Sequence, residues 1–230
     1  MTQIVPLNSQ THRSLQVQAE AAARYGDDQR FVPVVVSEFS LCAVHYPVLL
    51  SKDADTGAFY CGAMLGFDPG ENLFLDEGKG HDGYRPLNLQ RGPFYTAGEE
   101  LAIDLDHPRV TTPGGQALFD EAGEPTPYLK SILQLMQDLR PGLERTKVFV
   151  QTLMELKLIT PVAIGVSFDD GTSRDVSGLY TIDQEVLRGL PDATVVNLFR
   201  RGYLQLMYLM LGSLKHVPLL AQRKNRRLLA

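Results

Sequence analysis

The sequence predicts an α+β fold, in which a mostly antiparallel, curved β region in the N-terminal half and a hairpin at 162–180 pack with C-terminal helices. Three observations predict it. Residues 31–110 alternate β-branched or aromatic runs with Asp/Gly turns. Helical periodicity takes over across 127–160. After a second Asp/Gly turn inside 162–180, residues 183–227 return to helical sequence. At 230 residues the chain suits one large domain spanning 1–230, with enough length to bury a substantial core.

Taken in order, THRSLQVQAEAAARY (11–25) has a polar start and good helix formers, which predicts a short helix or an ordered arm. FVPVVVSEF (31–39) reads as a strand. YPVLLSK (46–52) and GAFYCGAMLGF (57–67) flank DADTG, a hairpin signal. The next stretch, FDPGENLFLDEGKGHDGYRPLNLQRGPF (67–94), holds too much glycine and proline for a helix. Asp68 and Glu71 flank Pro69-Gly70, the pattern of a turn whose carboxylates accept backbone hydrogen bonds. GPFYTAGEELAIDLDHPRV (92–110) carries two more strands.

The helical half begins after a Gly/Pro-rich connector at 112–127. YLKSILQLMQDL (128–139) sets Leu129, Ile132, Leu133, Leu135, Met136 and Leu139 at helical spacing, and Pro141-Gly142 is expected to end that helix. LERTKVFVQTLMELKLI (143–159) starts another, with Val148, Phe149, Leu153, Leu156 and Leu158 expected inward. Asp169-Asp170-Gly171 lies between AIGVSF and RDVSGLY, a hairpin turn. Asp183 is placed to cap QEVLRGL, and Asp192 to cap one long closing helix from about Thr194 to Lys215.

Composition excludes several functions. A net charge of −5 argues against a nucleic-acid partner, which selects for a basic face. The local exception, QRKNRR (222–227), reads as a solvated helix end whose cations suit the helix dipole. The N-terminus has no signal-peptide pattern. The apolar run GYLQLMYLMLGSL (202–214) falls short of the ~20 residues of a membrane span and reads as a buried helix. The expected location is therefore the cytoplasm, with no membrane span. Its Met/Tyr/Leu stripe is core unless exposed, in which case it suits a protein partner or self-association. Cys42 and Cys61 fit buried core positions better than a zinc site or a redox pair.

The search for chemistry returns little. The five histidines form neither H-E-x-x-H nor an H-x-D/E pair with a distant histidine, so no metal is expected. Phosphate-loop, dinucleotide and G-x-S-x-G spacings are missing, so no cofactor is expected either. The candidate site is His81, Asp82, Tyr84 and Arg85: a base, an orienting carboxylate, a phenol and a carboxylate clamp. Gly78, Gly80 and Gly83 make its loop permissive, and Asp76 and Glu77 precede it. This loop and the Asp53–Gly57 turn are the first places to look for a ligand pocket. His45, within CAVHYP, is a further ligand-binding candidate, with packing as its competing role.

Several segments together resemble a known family. VPVVVSEFSLCAVHYPVLLSKDADTGAFYCGAMLGFDPGENLFLD, ALFDEAGEPTPYL, DGTSRDVSGLYTIDQEVLRGL and LFRRGYLQLMYLMLGSL, in order from about Val32 to Leu220, resemble the SapC-like family of bacterial proteins. The family bears the name of surface-array gene clusters and is distinct from a peptide-transporter permease of the same name, whose membrane spans are missing here. It carries no residue roles that transfer to this sequence. The resemblance implies company with tryptophan-halogenase-like enzymes, cupin-like proteins and TonB-dependent receptors. The favoured expectation is thus a non-catalytic accessory or binding protein beside such a halogenase-like or uptake system. The alternatives are an enzyme with a loop-built site around His81 and Asp82, and a surface-layer-associated protein.

Overall fold

The computed structural model describes residues 3–229 apart from 77 and 99, so Glu77 of the candidate loop lies outside the described residues. In chain order the strands are β1 (Ile4–Pro6), β2 (Gln16–Val17), β3 (Phe31–Pro33), β4 (Val48–Lys52), β5 (Phe59–Met64), β6 (Leu75–Asp76) and β7 (Gly80–His81). They continue as β8 (Phe94–Ala97), β9 (Glu100–Asp104), β10 (Val110–Thr111), β11 (Gln116–Ala117), β12 (Ile159–Ser167) and β13 (Ser173–Ile182). The helices are α1 (Phe39–Cys42), α2 (Leu87–Gln90), α3 (Pro127–Glu155), α4 (Gln184–Arg188), α5 (Asp192–Arg200), α6 (Tyr203–Ser213) and α7 (His216–Leu228). These strands pair antiparallel, and with the helices they make the α+β fold that the sequence predicts. The chain divides into two compact units, one of Met1–Asp28 with Leu75–Pro141 and the other of Gln29–Phe74 with Gly142–Ala230.

The first unit holds two three-stranded sheets, ordered β1-β9-β8 and β10-β2-β11, and the β6-β7 ribbon. Phe94, Ala102 and Ile103 are fully buried from β8 and β9. Of the two expectations for 11–25, a short helix or an ordered arm, the helix does not form: Gln16 and Val17 make a strand, and only Ala23–Tyr25 make a 3-10 turn, closed by left-handed Gly26. Tertiary pairing overrides helix propensity here. Val17 is buried between two strand partners, and the Gln16 side chain accepts from Gly114 N and Gly115 N at 2.8 and 2.9 Å. Gly115 lies so close to Val17 that a Cβ would sit 2.7 Å from its carbonyl oxygen.

The second unit is built on a five-stranded sheet ordered β12-β13-β4-β5-β3. Both expected hairpins form. Asp53 caps the first turn, accepting from Thr56 N at 2.8 Å and Thr56 Oγ1 at 2.7 Å, and Gly57 takes a φ of +69°. Asp170 does the same for Thr172 in the second, beside Gly171 at +82°. Asp183 caps α4 through Glu185 N and Val186 N, as its position predicts. The run 31–39, by contrast, is strand only to Pro33. Val35 N donates to the buried Glu38 carboxylate at 2.9 Å, which turns the chain into a 3-10 step and α1.

The expected break at Pro141-Gly142 does not occur, because α3 runs through both residues. Pro141 removes one backbone donor from the helix. Packing explains the glycine beside it. A Cβ on Gly142 would sit 2.9 Å from Val35 Cγ2, so only glycine allows α3 this close. One turn on, Thr146 Oγ1 donates to Gly142 O at 2.7 Å and accepts from Val36 N at 2.9 Å. Leu129, Ile132, Met136 and Leu139 are buried and Leu133 and Leu135 half-buried. Further along, Phe149, Val150, Leu153 and Leu158 are buried and Leu156 half-buried, while Val148, expected inward, is 45% exposed.

The single closing helix is also corrected. The chain forms α5, α6 and α7, turning at Gly202, whose φ of +74° suits glycine, and again at Leu214–Lys215. Asp192 sits within the first turn of α5 and does not cap it. Met207, Met210 and Ser213 of α6 are buried, and Ser213 Oγ accepts from Val48 N at 2.8 Å. Within Tyr203–Leu228, an 18-residue window has a mean hydropathy of 1.2, apolar enough by composition alone to cross a membrane, and 22% of that window is buried. The basic end of α7 is not merely solvated. Lys224 pairs with Asp68 at 2.6 Å and with Glu71, Arg223 lies 4.2 Å over the Phe74 ring, and Arg227 donates to Asn72 O. The turn at Pro69-Gly70 thereby serves two roles, since Glu71 also accepts from Phe67 N and Asp68 N.

Candidate functional site

In the first unit, three charged side chains that lie far apart in sequence converge. Arg109, in the turn before β10, donates through Nη2 to Asp27 Oδ2 at 2.5 Å and through Nη1 to Gln18 O and Glu20 O at 2.7 and 2.6 Å. Arg85, just before α2, donates through Nη2 to both Asp27 oxygens and to Leu89 O at 2.9 Å. Asp27 also accepts from Ala22 N at 3.0 Å. Asp27 and Arg109 are each 2% exposed, and the Tyr25 ring lies 5.0 Å from the Arg109 guanidinium carbon. Burial pushes the Arg85 guanidinium down from its ordinary value while Asp27 opposes that shift. Two guanidinium groups share one carboxylate, so the cluster carries one net positive charge.

That charge lies in the wall of a cleft of about 400 Å³. Arg85, Arg109 and Tyr128 line it together with the apolar Leu87, Ile132 and Leu135. The first two turns of α3 contribute Tyr128, Ser131, Ile132, Gln134 and Leu135 on one side of the helix, and Asp138 lies a turn further along. Burial raises the Tyr128 phenol and the two arginines oppose it, so the group stays protonated at neutral pH and can donate a hydrogen bond. Cations, a phenol and an apolar wall suit an organic anion.

Of the candidate loop residues, Arg85 lines this cleft, while His81, Asp82 and Tyr84 do not. His81 ends β7 and feels Arg85, Asp27 and Asp82. Burial first, and then the Arg85 charge, push its pKa down to about 4, so the ring is neutral at neutral pH. His45 and the Asp53–Gly57 turn belong to the other unit. His45 lines a separate cleft there, and the turn lines neither. Cys42 and Cys61 are free thiols, both buried. Burial pushes Cys61 up to about 12 and raises Cys42 as well, with Glu38 adding to the latter. Among the described residues no group of three or more His, Cys, Asp or Glu is placed to hold a metal ion.

A family model described as SapC matches residues 7–220. The chain belongs to the SapC family. Neither a curated protein nor a solved structure matches it. The matched span takes in both units of this SapC-family chain, including Asp27, Arg85, Arg109 and Tyr128. Of these four, sequence reasoning singled out only Arg85. Asp27 and Arg109 are 82 positions apart and carry no motif, and Tyr128 looks like an ordinary helix start.

The histidines make the stability of this SapC-family chain sensitive to acid. Between pH 6.5 and about 4 the unfolded chain binds a proton at His81 that the folded chain does not, so stability falls as pH falls through that window. His107, also lowered by burial and then by Arg109, acts in the same direction. For His81 the expected loss is about 2 kcal/mol, allowing for a ring that is only partly buried. Urea denaturation at pH 7 and pH 4 measures it, and His81→Gln should flatten the slope. An equal slope in that variant would show that His81 is not responsible.

Proposed function

We propose that this SapC-family chain is a non-catalytic binding protein whose Arg85–Arg109–Tyr128 cleft receives a small organic anion. One observation carries the reading: the Arg85–Asp27–Arg109 cluster places two guanidinium groups on one carboxylate in the wall of a partly apolar cleft, with Asp138 in the lining a helical turn beyond Leu135. A carboxylate-bearing ligand pairs with the arginine side of the cleft, and Leu87, Ile132 and Leu135 face its apolar body. A loop-built enzyme around His81 and Asp82 draws less support. His81 is held neutral beside the charge cluster, and neither His81 nor Asp82 lines the cleft. In this reading the protein serves, from the cytoplasm, as an accessory to a halogenase-like or TonB-dependent uptake system. A surface-layer role has only the family name in its favour.

The test is thermal denaturation with a panel of aliphatic and aromatic carboxylates beside their neutral amides. An acid present at a hundred times its Kd stabilises the fold by about 2.7 kcal/mol, and its amide does not. Ser131→Trp places an indole in the cleft while leaving Asp27, Arg85 and Arg109 in the chain, and should abolish that gain. Stabilisation by acids and amides alike, or by acids undiminished in Ser131→Trp, would refute the reading.

A further inference from the structure

The unit made of Gln29–Phe74 and Gly142–Ala230 carries its own cleft, of about 280 Å³. Helix α7 supplies one wall. His216, Leu219, Leu220, Arg223 and Arg226 recur at helical spacing along it, and Val44, His45, Phe74 and Gln222 also line the cleft. Leu220 is buried, whereas Leu219 is 50% and Val44 64% exposed. Leu41, three residues before Val44 along the same helical turn, is 51% exposed. Among the described residues no carboxylate lines the cleft. Arg226 has no ion-pair partner among the described residues. His216 donates its Nε2 proton to Ala43 O at 3.0 Å, since a carbonyl can only accept.

We propose that this cleft and its apolar rim form a membrane-surface contact that takes the phosphate of an anionic lipid headgroup. A helix that lies in the membrane interface combines exposed aliphatic side chains with cations beside them, and α7 with the Leu41–Val44 turn has that combination. Leu41, Val44 and Leu219 enter the acyl boundary while Arg223 and Arg226 meet the phosphate, which guanidinium groups match in geometry. Charge complementarity selects the occupant, because a wall with arginines and no carboxylate repels cationic partners and attracts anionic surfaces. The apolar rim selects lipid over free phosphate, which would leave Val44 and Leu219 in water. Of the 18-residue apolar window within Tyr203–Leu228 only 22% is buried, which leaves further hydrophobic surface uncovered beside the cleft's own helix.

Flotation of the full chain with vesicles tests this. Vesicles of phosphatidylcholine alone are compared with vesicles that also contain phosphatidylglycerol. The anionic vesicles are expected to float roughly fivefold more protein at low salt, and the excess should shrink as salt rises. Arg226→Gln and Leu219→Ser, both at exposed positions, should each remove most of that excess while circular dichroism stays unchanged. Equal flotation with both vesicle types, flotation with neither, or undiminished flotation of both variants overturns the proposal. So does stabilisation by inorganic phosphate that Arg226→Gln abolishes without any vesicle binding, which would assign the cleft to a free anion. A concentration-dependent dimer that Leu219→Ser dissolves would assign the face to a second copy and overturn it equally.

Discussion

Asp27→Ala is expected to destabilise the first unit by about 3–5 kcal/mol, the largest effect of any single charged-residue change in that unit. The carboxylate accepts from Arg85, Arg109 and Ala22 N, and its removal leaves two guanidinium groups facing each other in a buried site. Their mutual repulsion and lost solvation both act against the fold. Asp27→Asn keeps the shape and one acceptor but not the charge, and should recover only part of the loss. Hydrogen exchange of amides in β8 and β9, which lie in the same unit, reads the change where it occurs. A loss below about 1 kcal/mol would mean that water or rearranged carbonyls replace the carboxylate.

Phe149→Ala carries a comparable expectation in the second unit, about 3–5 kcal/mol. The ring is fully buried and meets Phe39 and Tyr203 edge-on, with centroids 6.1 and 5.2 Å away. Truncation removes the buried surface and both aromatic contacts and leaves a cavity between α3, α1 and α6. Phe149→Leu should cost much less, and Val148→Ala, at a 45% exposed neighbour on the same helix, should stay within about 0.5 kcal/mol. Urea denaturation of the three variants provides the comparison. Equal losses for Phe149→Ala and Val148→Ala would contradict the packing described here.

These two positions also show what the sequence could reveal. Phe149 lies in a periodic apolar stretch, and periodicity identifies its helix and most of its buried face. The hairpins at Asp53–Gly57 and Asp169–Gly171, and the Asp183 cap, were legible because their chemistry is local. Pro141-Gly142 misled because a local breaker signal competes with packing. Gly142 is needed for the close approach to Val35, and the helix tolerates Pro141. Asp27 and Arg109 were illegible for the opposite reason, since nothing local marks a charge that will be buried against partners from distant segments. Within the candidate loop, Arg85 lines the cleft, while the glycine-rich surroundings drew attention to neighbours that do not.

The order of the large sheet has a consequence for how the molecule meets its own copies. Its two outer strands, β12 and β3, lie at the margins of the sheet, where another chain could add a strand. Each carries a proline, Pro161 opposite Tyr180 in β12 and Pro33 opposite Gly62 in β3. A proline offers no N–H to an incoming ladder and interrupts its register. The sheet is thereby blunted at both margins against edge-to-edge aggregation, by residues whose sequence context marks them only as irregularities in a strand.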